Sequence, residues 1–191
     1  MFDGTKGAPY VESDSPSPLN AYGRAKAEAE RLVLEHAPGA LVVRSAAFFG
    51  PWDRYNFVTL AVDALRRGEP WAAAADQCVS PTYVPDLVQA TLDLLVDGER
   101  GVWHLTNRGE VSWADLARMA AHAASLDPRL VQDRASAELG MVAPRPRYSA
   151  LASERGALMP KLDDALCRYI TDCQEKGGNW PWRGEEQKRA A

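Results

Sequence analysis

The sequence has little cysteine: three residues, Cys78, Cys167 and Cys173, odd in number and scattered. That excludes a disulfide framework, and without a C-x-x-C pair it also excludes a zinc ribbon or dithiol redox centre. The three histidines, His36, His104 and His122, lie far apart and show no metal-ligand spacing. No apolar run approaches the ~20 residues of a membrane span. The opening Met1-Phe2-Asp3-Gly4 lacks the basic and apolar regions of a secretory signal, so a cytoplasmic protein is the expectation. Positive charge is not in excess either. Twenty-two Lys and Arg face 26 Asp and Glu, for a net charge of −4, with no basic stripe. A nucleic-acid or anionic-membrane partner is therefore not expected.

What is present is ordinary globular material, 46% hydrophobic and 25% charged, enough in 191 residues for one domain or two small ones. Residues 1–20 are rich in turn formers, with a short strand expected at Tyr10-Val11. Asn20 can cap a helix reaching about His36, rich in Ala, Lys and Glu and stopped by Pro38-Gly39. Ala40 to Ser45 is an apolar run of the kind buried on both faces of a parallel sheet. Phe57, Leu60, Ala61, Ala64 and Leu65 then give a helical stripe ended by Gly68. A strand is expected over Trp71–Ala75, a helix from Val84 to Leu95, and a strand over Val102–Leu105. Ser112 and Asp115 form a capping box, and Leu116, Met119, Ala120 and Ala123 continue that helix. Pro128 to Leu151 reads as loop, and Leu162, Ala165, Leu166, Tyr169 and Ile170 as the last helix. The charged, Gly-containing stretch from Lys176 reads as a disordered tail. Alternating strands and helices imply an α/β fold.

The chemistry is concentrated in Tyr22-Gly23-Arg24-Ala25-Lys26. Side chains at i and i+4 share a helix face. Phenols ionise near pH ~10 and are weak acids at neutrality, but a cation within ~4–6 Å stabilises the phenolate. Reducing a ketone needs a hydride on carbon and a proton on oxygen, and such a pair can give the proton. The spacing alone fits a plain helix-surface pair as well.

The surrounding blocks narrow the reading. Phe2-Asp3-Gly4, Pro18-Leu19-Asn20, Tyr22-Gly23 and Lys26, followed by Arg44-Ser45, Gly50 and Asn56-Phe57, resemble the dTDP-4-dehydrorhamnose reductase (RmlD-like) family. That family belongs to the extended short-chain dehydrogenase/reductase superfamily. Asp76-Gln77, Ser80-Pro81-Thr82, Asp86-Leu87, His104-Leu105, Ser112-Trp113 and Arg145-Pro146-Arg147-Tyr148-Ser149 continue the likeness to about Ile170. The resemblance implies the C-terminal part of a Rossmann-type NAD(P)-binding fold plus a small α/β substrate-binding domain. Residues 1–50 would be the residual dinucleotide-binding part with the catalytic helix, 51–175 mainly the substrate domain with some sheet-completing segments, and 176–191 the tail.

It further implies reduction of the 4-keto group of a nucleotide-linked 6-deoxy sugar with NADPH or NADH. Tyr22 would be proton donor, and Lys26 its partner and a ligand of the cofactor ribose. Asn56, Gln77, Ser80, Thr82 and Arg145 fall on blocks that line the sugar-nucleotide pocket. For four of these a structural role stands alongside: Asn56 as a helix cap, Ser80 and Thr82 satisfying turn backbone, and Arg145 as a solvated loop arginine. Its guanidinium equally suits bidentate contact with a diphosphate. A homodimer is the assembly considered.

The chain departs from the family pattern at Ala47, where a tryptophan is usual, and at Val79, where glycine is usual. The family's first ~100 residues, with the strand–G-x-x-G-x-x-G–helix fingerprint, do not precede Met1, so the chain is expected to be incomplete and inactive alone. A non-catalytic sugar-nucleotide-binding or regulatory module, and an epimerase or dehydratase fragment, are the competing readings.

Overall fold

The computed structural model describes residues 1–175; the expected tail lies outside them. Helix α1 (Ala21–His36) is followed by strands β1 (Leu41–Arg44) and β2 (Phe48–Phe49) and by α2 (Phe57–Arg66). Then come β3 (Trp71–Ala74), β4 (Cys78–Val79), β5 (Thr82–Tyr83) and α3 (Val84–Val96). β6 (Gly101–His104), β7 (Val111–Ser112), α4 (Trp113–Ala123), β8 (Val131–Arg134) and α5 (Leu162–Glu175) complete the order. Strands pair in twos: β1 with β6, β2 with β5 and β3 with β8 in parallel, and β4 with β7 antiparallel. The fold is α/β.

The helices begin where side chains can satisfy their first amides. Asn20, Asn56 and Ser112 accept from Gly23, Thr59 and Asp115, and Ser112 donates in turn to the Asp115 carboxylate. α3 starts differently, with Pro85 in its first turn and Asp86 beside it. The apolar stripes of α2, α4 and α5 converge on one core that includes Val58, Val62, Leu116, Leu166 and Ile170, closed by Phe49, Tyr83 and Tyr169. A second core of small residues, Ala61, Ala73, Ala114, Ala117 and Ala121, lets α2 and α4 lie close over β3 and β8. The third joins α3 to the β1–β6 pair through Leu94, Trp103 and Leu105.

Three expectations need correction. Tyr10-Val11 is a single bridge, Tyr10 to Leu151, rather than a strand. The segment 128–151 is not all loop, because β8 lies within it and pairs with β3. Val131 is its one buried residue and Gln132, Asp133 and Arg134 are exposed, so no alternation marks it. Finally, β1 is not buried on both faces. Leu41, Val42 and Val43 are half-buried, since among the described residues β1 pairs only with β6 and its valines line a cavity.

Helix α1 buries only Gly23 outright, so polar contacts fix its position. Arg44, on β1 and almost fully buried, grips Glu30 of α1 through Nε (2.8 Å) and Nη2 (2.6 Å). Its Nη1 lies 3.1 Å from Nε2 of His104 on β6. The other ring nitrogen of His104 reaches the carbonyls of Tyr10 (3.1 Å) and Ala152 (2.9 Å), which accept only from an N–H. The ring is therefore neutral, protonated at Nδ1 and accepting from Arg44. Burial pushes the His104 imidazolium down from 6.5, against the opposing pull of Glu12.

Two outcomes are expected. Leu166→Ala, at a side chain 1% exposed, should lower the unfolding free energy by about 2–5 kcal/mol in a urea titration. The native state takes up a proton at His104 less readily than the unfolded chain, so the stability it contributes is present above pH 6.5 and lost as pH falls below it. His104→Gln should flatten that slope, and an unchanged slope would show that another group carries it.

Candidate functional site

A cavity of about 1160 Å³ runs from the start of α1 along β1 to the loop after β8. Tyr22 and Lys26 enter it from α1. The first turn of that helix can take this place because residue 23 is glycine: a Cβ there would stand 2.9 Å from Cβ of Pro18 and 3.4 Å from the capping Asn20 oxygen. Tyr22 is 71% exposed, and the Lys26 ammonium lies 6.0 Å from its ring centroid. Among the described residues neither the phenol nor the ammonium is engaged by a hydrogen bond or an ion pair, so both are available to a ligand.

Gln77 and Arg145 line the same cavity. Gln77 is 95% buried, by its 5% exposure, yet its amide meets no hydrogen-bonding partner among the described residues. Neighbouring Asp76 is clasped by the backbone N–H (2.8 Å) and hydroxyl (3.0 Å) of Ser136, which anchors this turn beneath β3 and β8. A buried amide held against the cavity with its donors and acceptor unspent is a ready ligand-binding group. Arg145 is exposed on the loop following β8, without an ion pair among the described residues.

The other three expected residues are not brought into the cavity. Asn56 is 4% exposed: its oxygen caps α2, and its amide donates to the carbonyls of Gly50 (3.2 Å) and Asp53 (2.5 Å). Ser80 accepts from the N–H of Leu151 (3.0 Å) and donates to its carbonyl (3.2 Å). Thr82 receives the hydroxyl of Ser45 (3.0 Å). These three take the structural alternatives open to them and brace the wall from behind.

Ser45, Trp113 and Ser149, met in the sequence only as members of family blocks, also line the cavity, and so do Phe48 and Asp53, which sequence reasoning did not single out. They come from separate stretches of chain, so no periodicity joins them. Ala47 lies between β1 and β2 with φ of +47°, in the left-handed region seldom occupied by a residue with a Cβ. Its carbonyl accepts from the N–H of Thr82 (3.1 Å), fixing the corner that aims Phe48 at the cavity.

Underneath, the turn at Asp3-Gly4 carries the loop that holds Arg145. Gly4 has φ of +82°, and a Cβ there would fall 2.7 Å from Cβ of Pro146 and 3.0 Å from the backbone nitrogens of Arg147 and Tyr148. Only glycine permits both the turn and this approach. The hydroxyl of Ser17 at 2.7 Å, joined by Thr5 and Tyr10, holds the Asp3 carboxyl well below the usual carboxylate range.

Known proteins resemble this chain over most of its length. The family described as "RmlD substrate binding domain" matches residues 1–168. A dTDP-4-keto-6-deoxy-D-glucose reductase from Streptomyces niveus is 37% identical over 81% of this chain and 54% of its own length. A dTDP-4-dehydrorhamnose reductase from Mycolicibacterium smegmatis is 38% identical over 78% of this chain and 46% of its own. The crystal structure of dTDP-4-dehydrorhamnose reductase from Bacillus anthracis in complex with NADP superposes with a TM-score of 0.83 at 30% identity, covering 90% of this chain and 62% of that one. The chain thus spans about half the length of the curated relatives it matches. With a match across 168 residues, and with Tyr22, Lys26, Gln77 and Arg145 gathered on one cavity, the chain belongs to the RmlD substrate-binding-domain family.

Proposed function

We propose that this chain supplies the proton-donating helix and the substrate pocket of a reductase acting on the 4-keto group of a dTDP-linked 6-deoxy sugar. The observation that carries the reading is the convergence of Tyr22, Lys26, Gln77 and Arg145 on one cavity. A sugar nucleotide presents three things to such a site: a hydrogen-bonding sugar, a dianionic diphosphate and a base. Arg145 offers the fork of donors that suits the diphosphate. The unspent amide of Gln77 offers paired donor and acceptor to a hydroxyl or base edge. Tyr22 protonates the ketone oxygen as negative charge develops on it, and the Lys26 ammonium stabilises the phenolate left behind.

A reduced nicotinamide dinucleotide, NADPH or NADH, would supply the hydride. Lys26 would hold its ribose hydroxyl. The described residues contain no strand–glycine turn–helix cradle for its pyrophosphate: α1, α2 and α4 have their first amides capped by their own side chains, and α3 opens with Asp86. The residues present thus fit the ribose end and not the phosphates. No described helix is long and apolar enough to cross a membrane. A cytoplasmic, homodimeric enzyme completes the reading.

Calorimetry on this chain should show saturable binding of dTDP, and Arg145→Ala should weaken it about tenfold or more, the worth of a charged hydrogen bond. Absence of any binding would overturn the reading. In an assay with a dTDP-4-keto-6-deoxy sugar, reduced dinucleotide and a reductase carrying this segment in full length, Tyr22→Phe should cut turnover at least about a hundredfold. Retained turnover would remove Tyr22 from the mechanism.

A further inference from the structure

The side chain of Asn20 does two jobs at once. Its oxygen accepts the N–H of Gly23 (2.8 Å) and so caps α1, the helix of Tyr22 and Lys26. Its nitrogen donates to the carbonyl of Pro144 (2.9 Å), the residue immediately before Arg145. The cap bond settles which end of the amide points where, so the NH2 group must face the loop. Between Gly140 and Arg147 no other hydrogen bond ties that loop to the rest of the chain among the described residues. The next anchor is the Arg147 carbonyl, which accepts from Cys78 N–H at 2.8 Å. Val142, within the same stretch, is fully exposed.

We infer that Asn20 is a positioning residue, which registers the loop bearing Arg145 on the helix bearing Tyr22 so that one bound ligand meets both. This rests on the sugar-nucleotide reading above and names how that site is held in shape. A diphosphate seated at Arg145 fixes one end of the ligand; the distance from there to the phenol is set by the chain that links them. The direct link is a single carboxamide, with one bond to each side. A neutral residue that could cap without donating would leave the helix in place and remove the loop's bond at Pro144, leaving Arg145 held only from its far side, where Pro146 and Arg147 pack on Gly4. Asn20, Tyr22, Arg145 and Pro146 all line the cavity, so the link lies along the ligand's own path.

Serine separates the two jobs, because its hydroxyl caps helices as well as asparagine does but is too short to reach Pro144. In Asn20→Ser, backbone amide order parameters should fall at Met141, Val142, Ala143 and Arg145, while α1 keeps its hydrogen-exchange protection and the melting temperature is unchanged. Asn20→Ala should loosen the first turn of α1 as well. Affinity for dTDP, the probe, should fall about tenfold in Asn20→Ser. It should fall little further when that change is added to Arg145→Ala, since both act through one contact. Unchanged order parameters at these loop residues in Asn20→Ser would overturn the link, and additive losses with Arg145→Ala would overturn its action through Arg145. If the unaltered chain binds no dTDP, the proposed function and the ligand part of this inference fall together, and the order-parameter comparison still decides the link.

Discussion

The buried guanidinium of Arg44 is the constraint on which the rest of the structure turns. It joins α1, β1 and β6 at one point, through Glu30 on one side and the neutral His104 on the other. Phe2 covers it at 5.5 Å and stacks on Tyr10 at 4.1 Å, drawing the first ten residues into the same assembly. Two desolvated charges gain little net stability over an apolar pair of equal volume. Removing one partner alone, however, strands the other and costs about 3–5 kcal/mol. The gain is therefore specificity of placement. A helix that buries little of its own surface needs such a fastening if its tyrosine is to stay within reach of a ligand.

The polar residues of the family blocks divide into two populations that the sequence writes in the same alphabet. Asn56, Ser80 and Thr82 have their donors and acceptors consumed by backbone and by the hydroxyls of Tyr169 and Ser45, as buried polar groups generally must. Gln77, equally buried, has not. That contrast separates scaffold from site more cleanly than position in a motif does. A side chain's unused hydrogen-bonding capacity, rather than its nearness to a landmark, marks it as available.

Much of this could be read in advance. The caps at Asn20, Asn56 and Ser112, the helical stripes and the Tyr22–Lys26 spacing all depend on residues close in sequence, where local rules operate. β8 escaped because three of its four residues are exposed and its partner β3 lies some sixty residues earlier. The double use of Asn20 could be half read: its cap is local, whereas its bond to Pro144 spans 124 residues. Phe48 and Asp53 escaped for the same reason, since a cavity wall assembled from distant stretches leaves no periodicity to find. Likewise the half-buried state of β1 could not follow from its apolar composition, which is the same whether a neighbouring strand is present or not.

Ala47 places two properties under one residue. Its left-handed backbone stores about 1–3 kcal/mol that the bond from Thr82 holds in place, while the same residue lines the cavity. Glycine here would relieve the left-handed strain, whereas a residue with a Cβ keeps it. The backbone of the corner and the edge of the cavity are thus set at one position, and a change made to reshape the pocket there acts on the turn as well.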